Sequence, residues 1–507
     1  MFKVILYYFL ITILTGCLLN QTNYAKTPNI YYKQHTYSTR ITYESIHSAS
    51  DDPLGLMGVH YEINSFLLPK LYLGIGGYGA LVGDYGGFFT AGITPGFRFT
   101  FLKDYSLDLG LFLGGGGGAS AFPGDGEMIR AHAYLGYTIN KSTLWLGINK
   151  QQISKTVLPS SLSIGYSSQL EFLLQTSQQH RSKLSLSPIL NKYNLSINPS
   201  YTFYFPTSLN QGRNSTNIDS KIGLLSLDVS KQINKNWSGI ISLSGSNDAP
   251  ADGYGAIFVG SSYEYKLNKV SLFSKLKIGM AGGGNIDTGG GLLIHPQIET
   301  QFHLNKQYAL ASSLGYIIAP SGTFESWQSS LGITYKATLN SLKTASDNII
   351  SIKKKSPYNF TWFIENKSTF PVQDIYLKSG KKYEEVIQFF GCGLAFSLNS
   401  FTNAIVSTYW AYDGEVGAYA EGNFGLNSYK KITSNVSLGL EVLLGAAGGG
   451  GINVNTGTIH QETVNLSYAL SNNKAFIFKL GSQGAFSNDS FHGTVVTVGV
   501  ENKVNLF

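Results

Sequence analysis

The sequence predicts an all-β protein: an antiparallel transmembrane β-barrel of about 24 strands, assembled from three repeats of about eight. Three observations carry this prediction. The chain repeats at a step of about 165 residues. Apolar and polar side chains alternate with a period of two over segments longer than ordinary globular strands. Charged residues make up only 13% of the chain, about half the usual share, which suits an outer surface that meets lipid.

The repeat is the first element to justify. Tyr193-Asn194 opens a segment ending in Phe205-Pro206, and Tyr358-Asn359 opens one ending in Phe370-Pro371. The glycine runs 114–118, 282–284 and 448–451 form a second echo, followed by Ile129-Arg130, Ile294-His295 and Ile459-His460. A looser third echo places Asp84, Asp252 and Asp413 beside glycine. The implied organisation is a signal segment over 1–16, a tether over 17–27, and β repeats over 28–192, 193–357 and 358–507.

Within each repeat the alternation gives strands. Leu107, Leu109, Leu111 and Leu113 alternate with Ser106, Asp108, Gly110 and Phe112, and Val436, Leu438, Leu440, Val442 and Leu444 do the same in the third copy. In the second copy Ile294, Ile298, Phe302 and Leu304 alternate with His295, Gln297, Glu299 and Gln301, predicting an apolar outer face and a wetter inner one. Strands are expected near 193–205, 220–231, 236–244, 253–267, 271–281, 290–304, 306–317 and 324–340. The intervening turns, such as Leu267-Asn268-Lys269 and Leu304-Asn305-Lys306-Gln307, are short and polar. Lipid demands closure, because an open edge strands unpaired N–H and C=O groups. Two closures fit: one wall of about 24 strands, or three separate eight-stranded barrels or β-rich domains. No Pro/Gly linker marks residues 193 or 358, which favours the continuous wall.

The N-terminus comes next. Lys3 precedes the apolar run Val4–Leu14, which ends in Leu14-Thr15-Gly16-Cys17. A run of eleven residues is too short for a bilayer-spanning helix, which needs roughly 17–25, so it reads as an export signal. Leu14-Thr15-Gly16-Cys17 resembles the bacterial lipoprotein box. The resemblance implies cleavage before Cys17 and acylation of that cysteine, whose chains would hold the protein on membrane lipid. Leu18 differs from the aspartate that such lipoproteins carry when retained in the inner membrane. The ending Asn505-Leu506-Phe507 resembles, with Asn505 departing from the pattern, the terminal signal read by the outer-membrane barrel assembly machinery, a possible partner.

Several function classes drop out. With Cys17 assigned to lipid, Cys392 has no partner for a disulfide or a CxxC metal site. A net charge of +7 with no basic stripe excludes nucleic acid, and Lys353-Lys354-Lys355 reads as a solvated turn. The glycine runs lack the GxxxxGK[ST] and GxGxxG contexts of phosphate and dinucleotide loops, so glycine is expected where the chain bends, packs closely or turns with positive φ. The aspartates beside glycine read as turn residues before calcium ligands. Arg130, His295 and His460 share a repeat position and become candidate lumen-facing basic groups, with no metal, since residues two apart on a strand lie roughly 6.6–7 Å apart. No cofactor or catalytic constellation is expected. The expected function is a lipid-anchored outer-membrane β-barrel with a passive pore or structural surface role. Its rival is a non-spanning surface lipoprotein whose β domains bind a partner or glycan.

Overall fold

In the computed structural model, residues 30–47, 53–64, 70–118, 124–176, 190–207, 212, 220–247, 251, 253–342, 350–352, 358–372, 375–399, 401–454, 457–471, 473–486 and 491–506 are described. Cys17, the segment before it and Phe507 lie outside them.

The alternating segments form the expected strands. The first repeat supplies β1 (Ile30–Ile46), β2 (Leu54–Asn64), β3 (Leu71–Val82), β4 (Phe89–Leu102), β5 (Tyr105–Gly117), β6 (Glu127–Ile139), β7 (Ser142–Ile153) and β8 (Ser161–Thr176). The second supplies β9 (Leu190–Pro206), β10 (Ile222–Gln232), β11 (Trp237–Ser246), β12 (Gly255–Leu267), β13 (Val270–Gly282), β14 (Leu292–His303), β15 (Tyr308–Ile318) and β16 (Glu325–Leu342). The third supplies β17 (Tyr358–Pro371), β18 (Ile387–Ser397), β19 (Thr402–Asp413), β20 (Ala420–Lys431), β21 (Val436–Gly448), β22 (Thr458–Ala469), β23 (Lys474–Ala485) and β24 (His492–Leu506).

Each repeat closes on itself. β1 pairs antiparallel with β8, with Ile41 opposite Tyr166. β9 pairs with β16, with Tyr201 opposite Leu331, and β17 pairs with β24, with Ile364 opposite Val500. The 24 wall strands therefore form three eight-stranded barrels, and the expected single continuous wall is corrected. The missing linker could not discriminate between the closures. An even number of antiparallel strands returns the chain to the end where it started, so either closure needs only a short connection along that end. A better clue is strand length. The closing pairs have 17 and 16, 17 and 18, and 14 and 15 residues, against 10 to 14 for the other wall strands.

Both ends of every barrel lie with the short turns, here termed the turn end. The longer connections gather at the opposite loop end. At the turn end Ile350–Ile352 add to the start of β1 and Leu506 pairs with Leu174, which stitches neighbouring barrels together.

At the loop end the barrels meet in a cyclic order: β3 contacts β13, β11 contacts β21, and β19 contacts β5. Each junction joins the third strand of one barrel to the fifth of another, the heterologous arrangement that closes into a ring. The turn after the third strand docks on the glycine run ending the fifth and on the loop that follows it. Gly86 N donates to Gly289 O at 2.9 Å, and Gly417 N and Ala418 N donate to Gly124 O and Gly116 O at 3.0 and 2.9 Å. Thr458 Oγ1 donates to Asn247 O at 3.0 Å at the remaining junction. A Cβ on Gly87 would strike the backbone of Gly282 and Gly283, and one on Gly253 that of Gly448 and Gly449. Two echoes of the sequence thus prove to be the two halves of one contact. Gly87, Gly253 and Ala418 share a position and a left-handed φ of 93°, 84° and 78°.

Candidate functional site: the filled lumens

The alternation sorts side chains as expected. Ile298, Phe302 and Leu304 are exposed while His295, Gln297, Glu299 and Gln301 are buried. Leu107 and Leu109 point out, and Ser106, Asp108 and Phe112 point in. Each barrel is polar within and apolar without, the reverse of a water-soluble protein. Eight strands leave an interior just wide enough for side chains to fill, and these interiors are filled by ion pairs.

In barrel 1, Asp108 is the hub. It accepts from Arg40 at 2.9 and 3.1 Å, from Arg98 Nε at 2.9 Å and from the Tyr72 hydroxyl at 2.9 Å, and His132 Nε2 lies 2.9 Å away. Glu62 pairs with Arg40 at 2.7 Å and with Arg98 at 2.8 Å. Higher in the lumen Arg130 pairs with Glu44 at 3.0 Å and donates to the Tyr134 hydroxyl at 2.6 Å. In barrel 2, Lys275 bridges Glu299 at 2.5 Å and Asp228 at 3.2 Å, with Lys277 3.6 Å from Asp228. In barrel 3, Lys367 meets Glu421 at 2.5 Å, and Lys479 meets Glu365 at 2.8 Å and Glu441 at 3.0 Å. Buried charge is tolerated where it is paired and hydrogen-bonded. None of these three networks follows from a repeat motif. Their only trace in the sequence is a charged residue at inward parity between outward-facing apolar residues, as Asp108 sits between Leu107 and Leu109.

Above each network the lumen is stoppered by apolar side chains at the loop end. Phe88, Phe112, Leu56 and Met128 do this in barrel 1. Tyr204, Tyr254, Phe324 and Leu293 do it in barrel 2, and Phe389, Tyr419, Ile459 and Phe491 in barrel 3. Phe88, Tyr254 and Tyr419 occupy one position, immediately after the residue with positive φ, so the turn that docks on the neighbouring barrel also delivers the stopper. Between stopper and ion pairs, barrel 2 keeps a polar cavity of about 10 Å³ of water-accessible space, lined by Asp228, Lys277, His295 and Gln297. That is about the room of one water.

Two of the three predicted basic positions lie inside a lumen. Arg130 is fully buried in barrel 1 and His295 is 3% exposed in barrel 2. His460 does not join them. Its ring lies on the outward face, 2.8 Å from Glu462 Oε1 and beside Phe486, and Gln461 takes the inward position at 1% exposure. The cause is one residue. The β12–β13 turn joins paired Leu267 and Val270, whereas β20 and β21 are joined across a three-residue turn at Thr433-Ser434-Asn435, closed by the Ile432 N to Val436 O bond. This shifts the repeat step from 165 to 166, and a one-residue slip moves a side chain to the opposite face. Cys392 is half-buried and unpaired on β18, packed at the apolar junction of barrels 1 and 3 with Ile364, Phe390, Ile93 and Leu113.

No protein-family model matches the chain, and no curated protein is similar to it in sequence. Similar solved structures include the siderophore receptor PirA from Pseudomonas aeruginosa, at 11% identity and a TM-score of 0.29, covering 93% of this chain and 80% of that one. OccK11 (OpdR) of Pseudomonas aeruginosa gives 12% identity and a TM-score of 0.22, covering 94% and 96%. The NanC porin gives 10% and 0.16, covering 61% of this chain and 98% of that one.

Proposed function

We propose that this protein is a lipid-anchored outer-membrane protein with a structural surface role: three sealed β-barrels in a ring, neither a solute pore nor an enzyme. One observation carries this reading, the inverted polarity of every barrel, with ion pairs within and leucine, isoleucine and aromatic side chains without. A non-spanning lipoprotein would leave that greasy exterior in water, where a contiguous apolar surface is a liability. The stoppers and ion-pair networks oppose passage, which favours the structural role over the pore. The lipoprotein box supports anchoring through Cys17, thirteen residues before β1 opens at the turn end.

The test combines lipidation with spanning. Mass spectrometry of the mature N-terminus is expected to find Cys17 acylated, and Cys17→Ala to lose the acyl chains yet remain in the detergent phase on phase partitioning. In planar bilayers the purified protein is expected to pass little current. A Cys17→Ala protein that moves to the aqueous phase would overturn the spanning reading, and steady large conductance would overturn the sealed one.

A further inference from the structure

The turn end carries a one-sided charge. Lys103, Lys235, Lys269, Lys306, Lys430 and Lys431 are all exposed there, drawn from all three barrels. The described acidic residues at that end, Asp104, Glu171, Glu264 and Glu501, are all buried or half-buried. Glu171 is tied to Lys141 at 2.8 Å and Glu264 accepts from Ser271 at 2.9 Å. The loop end differs, since Asp84, Glu384, Glu385 and Glu415 are exposed there among its lysines. The modest net charge of the whole chain conceals this asymmetry.

These lysines sit at a defined level. Lys103 is two residues from Tyr105, Lys235 two from Trp237, Lys306 two from Tyr308, and Lys430 adjoins Tyr429. Tyr105, Trp237 and Tyr308 are 41%, 46% and 44% exposed on the outer wall. Outward Tyr and Trp belong at the boundary between hydrocarbon and head groups, and a lysine one step beyond them places its ammonium among the head groups while its stem lies along apolar surface.

We propose that the turn end is a binding surface for anionic phospholipid head groups, which the lysine ring selects from the surrounding leaflet. Charge complementarity and the aromatic boundary beside the lysines favour a lipid over an acidic protein, which would not need its contacts at membrane level. This rests on the spanning reading above. The surface lies at the end where β1 opens, thirteen residues after Cys17 in the sequence, so acyl anchor and lysine ring would act on the same leaflet.

The test uses the full-length protein in phosphatidylcholine vesicles with spin-labelled phosphatidylglycerol or phosphatidylcholine as probe. Electron paramagnetic resonance reads the fraction of each label that is motionally restricted at the protein wall. The expected result is a preference for phosphatidylglycerol of about fivefold at low salt, the factor of one lysine near an anionic surface, falling toward parity in 1 M salt, where the Debye length is roughly 3 Å. A variant carrying Lys103→Gln, Lys235→Gln, Lys269→Gln, Lys306→Gln, Lys430→Gln and Lys431→Gln is expected to lose the preference. A loop-end variant with Lys150→Gln, Lys155→Gln, Lys221→Gln and Lys381→Gln is expected to keep it. Equal restriction of both labels in the unaltered protein, a preference that survives high salt, or equal loss in the two variants would each overturn the proposal. Should the turn-end variant fail to fold, the salt series on the unaltered protein still decides. Absence of any restricted lipid would instead overturn the spanning reading itself.

Discussion

Replacing Asp108 by asparagine is expected to cost barrel 1 about 3–5 kcal/mol of unfolding free energy, the range for breaking a buried ion pair from one side. Asp108 is wholly buried and answers two guanidiniums. Without its charge, Arg40 and Arg98 would share Glu62 alone, inside a wall whose outer face is apolar and whose upper end is stoppered. Asparagine keeps the shape, so the loss reports charge and not a cavity. Trp145 makes the measurement local. It lies 4.8 Å from the Arg40 guanidinium and 4.9 Å from that of Arg98, and it is the only tryptophan of the first repeat. Its fluorescence in a denaturant titration should follow barrel 1. Lys141→Gln, which breaks the half-exposed pair with Glu171, should cost under about 1 kcal/mol. Equal losses in the two variants would show that the network does not hold the barrel.

The second large effect is expected at the ring. Gly87→Val places a β-branched residue at a φ of 93°, and its Cβ would meet the backbone of Gly282 and Gly283 in the next barrel. Holding an ordinary residue in such a region costs of order 1–3 kcal/mol, and overpacking against backbone adds about as much. Gly380→Val separates the two contributions. Gly380 has a φ of 80° but nothing within 4 Å of the added Cβ, so it meets only the conformational part. The expected result is a loss of stability at Gly87 exceeding that at Gly380 by roughly 1–3 kcal/mol. Ala418 holds a methyl group at the corresponding junction, but at Gly87 alanine carries the same Cβ as valine against the backbone of Gly282 and Gly283, so it is expected to show the larger part of the loss. Matching losses at Gly87 and Gly380 would mean that the barrels do not bear on each other there.

Much of the wall was legible in the sequence. Every strand expected in the second repeat is present within about three residues of its expected ends, because alternation in a barrel wall is a direct consequence of one greasy and one polar face. The inward placement of His295, Gln297, Glu299 and Gln301 follows from the same parity. Closure was not legible, since a hydrogen-bond partner is a property of two distant segments and eight strands satisfy either wall. His460 was misplaced because sequence repeats conserve spacing only until a turn gains a residue. The glycine runs are expected at bends, at close packing and at left-handed turns, and Gly116, Gly117 and Gly283 do have positive φ. Their second role as a docking ledge is invisible until the neighbouring barrel is in place. The stoppers escaped for a different reason. At the loop end both faces of a strand are apolar, as at Ile222, Leu224 and Leu225, and parity then carries no signal.

Closure of each repeat on itself is decided by cross-linking first and last strands in the intact protein. Tyr201 on β9 and Leu331 on β16 are paired neighbours. In a Cys392→Ser background, cysteines at these two positions should form a disulfide on mild oxidation and shift the mobility of the unreduced protein. Cysteines at Tyr166 on β8 and Tyr201 on β9, on strands that would adjoin in a single wall, should not. A disulfide across the repeat junction with none between Tyr201→Cys and Leu331→Cys would contradict three closed barrels and restore the single wall.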